Sequence, residues 1–219
     1  MGFTHRNSAL ASSDGSNTTI QVTVTGVVAG DLLVVWHGNG QSATMAVTDS
    51  VGSSYTLGTL NSTSVLRGQF SYAIAAASGD VQFTCTFTPT CTNRRIQAYA
   101  VVPSGTAAFD LQRADQNAAS SSSPVSGNIG PTAADAIVFT GLYEENARTV
   151  SAEQFNGVTY TQLLTAALAE SWWRTVSAET GQGSATLSAA DRWLMNVISF
   201  SNTGGGGGPA PVLWAQSVM

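Results

Sequence analysis

The sequence predicts an all-β protein: an antiparallel, jelly-roll-like β-sandwich built from two pseudo-repeated halves, followed by a flexible Gly-rich C-terminal tail. Three observations predict it. Residues 18–25, TTIQVTVT, place Ile20, Val22 and Val24 on one face at period two, and QFTCTFT (82–88) does the same with Phe83, Cys85 and Phe87. Alternation of this kind marks a strand with one wet face. The runs DLLVVW (31–36) and AIVFT (136–140) are instead continuously apolar, rich in branched side chains and too short for typical helices, so they suit central strands covered on both sides. Between the runs fall Gly38-Asn39-Gly40, Gly52-Ser53, Gly79-Asp80, Asn156-Gly157 and Gly181-Gln182-Gly183. Turns of this type every 8–12 residues or so are the mark of a sandwich or barrel.

In chain order, residues 1–17 read as an N-terminal segment and 18–202 as the sandwich, divided into pseudo-repeats 18–104 and 105–202. The first half runs GDLLVVWHGNG (30–40), MAVTDSVGSSYTLGTL (45–60), FSYAIAAASGDVQFTCTF (70–87) and RRIQAYAVV (94–102). The second answers with ADAIVFTGLYEEN (134–146), VSAEQFNGVTYTQLL (150–164), SWWRTVSAETGQGSATLS (171–188) and DRWLMNVISFS (191–201). Asp31 matches Asp135, Tyr55 matches Tyr160, Tyr72 matches Trp173 and Arg95 matches Arg192. Self-similarity at this spacing indicates a duplicated unit. The one helical rival is 161–179, where Leu164, Leu168 and Trp172 recur at spacing four; its first-half counterpart alternates, so strands are expected there too. Residues 116–131 read as an exposed connection holding one short strand. The halves are expected to join in one larger sandwich, because open sheets bury more apolar area together than alone.

Hydrophobic residues make up 43% of the chain and charged residues 10%, with a net charge of −5. Pervasive disorder is excluded, since it requires low hydrophobicity with high net charge. No apolar run approaches the roughly 20 residues that cross a bilayer, and the first fourteen residues hold no apolar stretch of signal-peptide type, so neither a membrane span nor Sec export is expected. All eight basic residues are arginine, and only Arg94 and Arg95 are adjacent. Nucleic acid is not an expected partner, because binding it takes a clustered basic face.

No G-x-S-x-G elbow, phosphate loop, H-E-x-x-H or EF-hand loop occurs, so no catalytic residue, cofactor or metal ligand is expected. The absence of lysine removes Schiff-base chemistry. His37 reads as a locally bonded strand-end histidine and His5 as solvated. Glu144-Glu145 is the only adjacent acidic pair and reads as a solvated turn. Cys85 and Cys91 either bridge across a connecting turn or remain one buried strand thiol and one loop thiol. Adjacent residues of a strand face opposite ways, so one of Trp172 and Trp173 is expected to reach solvent as a glycan platform or interface anchor. Gly204–Gly208 and Pro209-Ala210-Pro211 form a tether to VLWAQSVM, where Val212, Leu213, Trp214, Val218 and Met219 are either a frayed tail or a docking peptide.

The segments GDLLVVW, VTDSVGSSYTL, SYAIAAASGDVQFTCTF, RRIQAYAVVPSG, ADAIVF and DRWLMNVISF resemble a recurrent β-sandwich family of tailed-bacteriophage virion proteins, across about residues 18–202. Ser53 stands where that family's turn has asparagine, and the second half keeps the turn only as Asn156-Gly157-Val158-Thr159-Tyr160. The resemblance implies a non-enzymatic capsid decoration, head-fibre or tail-associated protein, assembled in the host cytoplasm and located in the virion. Its implied partners are copies of itself, with a trimer favoured, and a major capsid or tail protein. The alternative is a carbohydrate-binding, host-recognition module whose partner is a host surface glycan.

Overall fold

The structure is a computed structural model that describes residues 2–41, 43–131 and 134–203. The chain is all-β and antiparallel. The first half contains β1 (Phe3–Ser13), β2 (Asn17–Val27), β3 (Leu32–Asn39), β4 (Thr44–Asp49), β5 (Thr56–Leu57), β6 (Asn61–Ser62), β7 (Arg67–Ile74), β8 (Gly79–Cys91) and β9 (Arg94–Pro103). The second contains β10 (Thr106–Ser121), β11 (Ala136–Glu144), β12 (Val150–Phe155), β13 (Val158–Thr159), β14 (Gln162–Ala166), β15 (Ala169–Val176), β16 (Gly183–Leu187) and β17 (Asp191–Thr203).

Each half winds the same way. A wide sheet ordered β1-β9-β3-β7-β5 faces a narrow sheet ordered β2-β8-β4, and a wide sheet ordered β10-β17-β11-β15-β14 faces a narrow sheet ordered β13-β12-β16. Placing β1, β9, β3 and β7 side by side, opposite β2, β8 and β4, is jelly-roll winding. In the second half the place of β2 is taken by residues around Val125 and Ile129, which bridge to Ser184 and Gly181.

The two wide sheets pack on each other, giving four layers and three cores. Leu33, Val35, Ile96, Ala98 and Ala100 face the first narrow sheet, against Ile20, Val22, Val24, Phe83 and Phe87. Leu32, Val34, Trp36, Tyr99 and Val101 point the other way and meet Ile137, Phe139, Tyr143, Trp173, Leu194 and Ile198. Ala136, Val138, Leu142, Trp172, Met195 and Val197 complete the third core with Phe155, Tyr160 and Leu187. Burial on both faces is why β3 and β11 open with continuous apolar runs, Leu32–Trp36 and Ala136–Phe139, whereas β2 and β8, wet on one side, alternate. Each half therefore closes its own sandwich, and the pair joins through a further core.

That central core is closed by two reciprocal knobs. Trp36 lies over Gly141, where an added Cβ would come within 2.3 Å of the indole, and Tyr143 lies over Gly38, where it would come within 2.6 Å of the ring. The Trp36 indole N–H donates to Leu142 O at 3.3 Å. Tyr99 Oη lies 2.8 Å from Ser171 O, and Gln97 Nε2 donates to Leu164 O and Ala169 O at 2.9 and 3.0 Å. Turn chemistry fixes the ends: Asn156 and Gly157, at φ of 51° and 74°, form the two-residue hairpin between β12 and β13. Asp49 Oδ1 accepts from the N–H groups of Val51 and Ser53, and its Oδ2 accepts the Tyr55 hydroxyl at 2.9 Å, which explains the VTDSVGSSY segment.

Several expectations are corrected. Phe3–Ser13 is not a segment apart but an edge strand, paired with β9 from Phe3↔Pro103 to Ser13↔Arg94. Most of 116–121 continues the sixteen-residue strand β10 along β17. The strands expected over 162–176, by contrast, are present: β14 and β15 form a hairpin closed at Ala166↔Ala169. The pairing of Asp31 with Asp135 is one residue out of phase, because Leu32 faces the central core and Ala136 the outer one; a single-residue slip flips every side chain.

Candidate interaction groove and buried acidic corner

Along one flank of the central core, the edge of the first wide sheet and β10 of the second stand apart and leave a groove. Leu32, Ser54, Thr56, Tyr72, Ala73, Ile74, Ala107, Phe109 and Phe200 line a pocket of about 190 Å³. Its floor is aromatic. Tyr72 stacks on Phe109 with centroids 5.6 Å apart and 9° between planes, and Phe200 meets Tyr72 edge-on at 5.0 Å. Partial burial raises the Tyr72 phenol pKa, and a hydrogen bond with Thr56 opposes only part of that rise. Ile74 and Phe109 are 45% and 42% exposed. Beyond the groove, Gly58 and Thr59 lie against Gln112, whose Oε1 accepts the Thr59 N–H at 2.9 Å. Leu57, opposite Ser71, and Leu111, opposite Ser199, point to the other faces of their sheets, so the exposed large apolar side chains at the groove are Ile74 and Phe109. A larger pocket, about 380 Å³, lies at the start of β11 beside Gly2, Asp135 and Thr175, with no comparable aromatic wall.

The predicted aromatics fall elsewhere. Trp172 and Trp173 are 0% and 6% exposed; β15 is covered on both faces, so the one-in, one-out expectation fails and neither indole is a glycan platform. Trp172 packs on Tyr160 at 5.4 Å, and Trp173 stacks on His5 at 5.6 Å. That contact also corrects the expectation of a solvated His5. Cys85 and Cys91 are both buried and free. They lie on one strand, with Cys85 opposite Ile20 and Cys91 opposite Asn17. Three residues of β2 span about 10 Å, beyond the roughly 7 Å that a bridge tolerates between Cα atoms. His37 is buried, with Nε2 2.7 Å from Ser71 Oγ, and burial lowers its pKa to about 3. Val212, Leu213, Trp214, Val218 and Met219 lie outside the described residues.

Sequence reasoning missed an acidic corner in the second half. Glu144 ends β11, Glu170 sits near the start of β15 and Asp191 starts β17. Each shares the parity of outer-core neighbours, respectively Leu142, Trp172 and Trp193, so all three carboxyls face the narrow sheet. They are 1%, 4% and 2% exposed, which corrects the reading of Glu144 as part of a solvated turn. Asp191 is satisfied: it accepts from Asn146 N and Nδ2 at 2.8 and 2.9 Å and pairs with Arg148 at 3.4 Å. Glu144 and Glu170 each keep one buried oxygen with no partner. Burial, then Glu170 and Asp191, raises the Glu144 pKa to about 8; burial, then Glu153, raises Glu170 to about 7. Burial first, and then the neighbouring carboxylates, favour the neutral form of both. No group of three or more His, Cys, Asp or Glu among the described residues is arranged to hold a metal ion, and none of the three pockets is lined by these acids. The signal that could have found the corner is positional: each acid adjoins an otherwise apolar, doubly covered strand.

The chain matches no family model, no curated protein and no solved structure.

Proposed function

We propose that the chain is a non-enzymatic structural protein of a bacteriophage virion, a capsid decoration, head-fibre or tail-associated component that assembles as an oligomer, with a trimer favoured, and attaches to a larger particle. One observation carries this reading: the open groove at which Ile74 and Phe109 stay exposed beside Tyr72. Exposed apolar surface gathered in one place marks protein contacts. It lies along an edge strand whose outward backbone groups add a pairing ladder to the same side. Jelly-roll sandwiches also recur in viral capsid and lectin domains, an analogy of fold that agrees with the virion reading. The lectin alternative loses its platform with the burial of Trp172 and Trp173.

The test has two readouts. Light scattering of the full chain is expected to give the mass of an oligomer. Mass spectrometry of gradient-purified particles from the host that carries the gene is expected to find the chain in fixed copy number. A monomer at every concentration overturns the assembly, and absence from the particles overturns the virion role.

A further inference from the structure

We propose that the groove between Tyr72, Ile74, Phe109 and Phe200 is the seat of the chain's own terminal segment, Val212–Trp214, so that the free protein caps part of its attachment flank with its own tail. This rests on the reading of that flank as the attachment surface.

The first argument is position. β17 ends at Thr203, which pairs with Thr106 at the start of β10. Phe200, three residues back, is part of the groove floor, and Ala107 and Phe109 follow Thr106 in its wall. The chain thus leaves the described fold about 10 Å from the pocket. Residues 204–211 separate Thr203 from Val212, and eight residues reach at most about 26–29 Å. The connection is long enough to turn back and short enough to hold the segment at an effective concentration on the order of millimolar.

The second argument is chemistry. The pocket, about 190 Å³, falls below the roughly 300–1,000 Å³ of small-molecule sites. It suits one large side chain rather than a substrate. Its wall is aromatic and aliphatic, with the Ser54 and Thr56 hydroxyls beside it. Residues 203–219 carry no charged side chain, and Val212-Leu213-Trp214 is their most apolar stretch. Seating Trp214 or Leu213 there would cover Ile74 and Phe109 without burying a charge.

The sequence supplies its own reporter. Of five tryptophans, Trp36, Trp172, Trp173 and Trp193 are 0%, 0%, 6% and 4% exposed, which leaves Trp214 as the one outside the described residues. Acrylamide quenching of the full chain and of Trp214→Phe, taken as a difference, isolates Trp214. It is expected to be quenched several-fold less than in a synthetic peptide of residues 211–219, independently of protein concentration. Phe109→Ser, and separately Ile74→Ser, are expected to restore peptide-like quenching while near-ultraviolet dichroism shows the cores intact. Peptide-like quenching in the unmodified chain overturns the proposal. So does protection that grows with concentration, which would place the segment on a second copy, or protection that survives both groove substitutions. None of these outcomes alters the mass and particle measurements, so a failure here is separable from a failure of the virion reading.

Discussion

The central core has two flanks, equivalent by the internal repeat, and they end differently. On one, β10 leans toward β7 and Phe109 stacks on Tyr72; on the other, β1 leans toward β15 and His5 stacks on Trp173. Tyr72 and Trp173 are matching positions in the two halves. Yet Tyr72 is only half-buried, while Trp173 is 6% exposed. The difference lies in the neighbouring edge. In the second half β14 runs for five residues and Leu164 and Leu168 pack into the central core, whereas in the first β5 is two residues long. Jelly-roll winding does not by itself require an open groove, since the same winding seals the equivalent place a short distance away.

The comparison can be broken most sharply at the sealed flank. Trp173→Ala is expected to cost about 3–5 kcal/mol, the usual range for emptying a buried aromatic site, while Tyr72→Ala should cost less than half as much; urea midpoints of the two variants measure the asymmetry. Equal losses would mean that the groove is as well packed as its counterpart. Next comes the wall common to both flanks. Gly141→Ala places a methyl inside the Trp36 ring and is expected to cost about 1–3 kcal/mol, lowering the melting temperature by roughly 2–4 °C per kcal/mol.

Acid and base should then tell the halves apart. Glu144 and Glu170 bind protons more tightly folded, at about 8 and about 7, than at their ordinary 4.5. Their contribution to stability is complete below pH 4.5 and is lost as pH rises through 7 and 8. Around Glu144 the groups that set this balance are Glu170, Asp191 and Arg148, and Glu153 faces Glu170. His37 in the first half acts in reverse: held neutral with its pKa near 3, it costs stability as pH falls below 6.5. Unfolding midpoints between pH 4 and 9 are expected to show an alkaline decline that Glu144→Gln with Glu170→Gln flattens, leaving the acid limb unchanged. The smallest effect is at the open groove, where Phe109→Ala is expected to change stability by less than about 1 kcal/mol, measured by the same denaturation curves.

Much of this architecture was legible in the chain. Ile20, Val22 and Val24 announced a strand with one wet face, and Leu32 to Trp36 announced one with none, because period-two burial writes itself directly into residue type. Phe3–Ser13 was not legible: THRNSALASS has little apolar alternation, since an edge strand on a partly wet flank needs little. Trp172 and Trp173 mislead for a related reason: local alternation gives their strand a solvent face, and only the packing of two wide sheets, a long-range event, removes it. Glu144 reads as solvated because carboxylates usually are; its burial follows from the length of β11, which carries the chain one residue past Tyr143 before turning. The groove was least legible, because an absence of cover is fixed by what β5 fails to extend over.

The reciprocal seating of Trp36 on Gly141 and Tyr143 on Gly38 has a bearing on modularity. A surface that would otherwise have to find its mate by collision is here supplied with it by the same ribosomal product, so dilution cannot part the two jelly rolls. Cut apart near residue 104, each would carry a naked sheet studded with tryptophan, tyrosine and leucine. The repeated unit is therefore a pseudo-symmetric pair made permanent by a peptide bond.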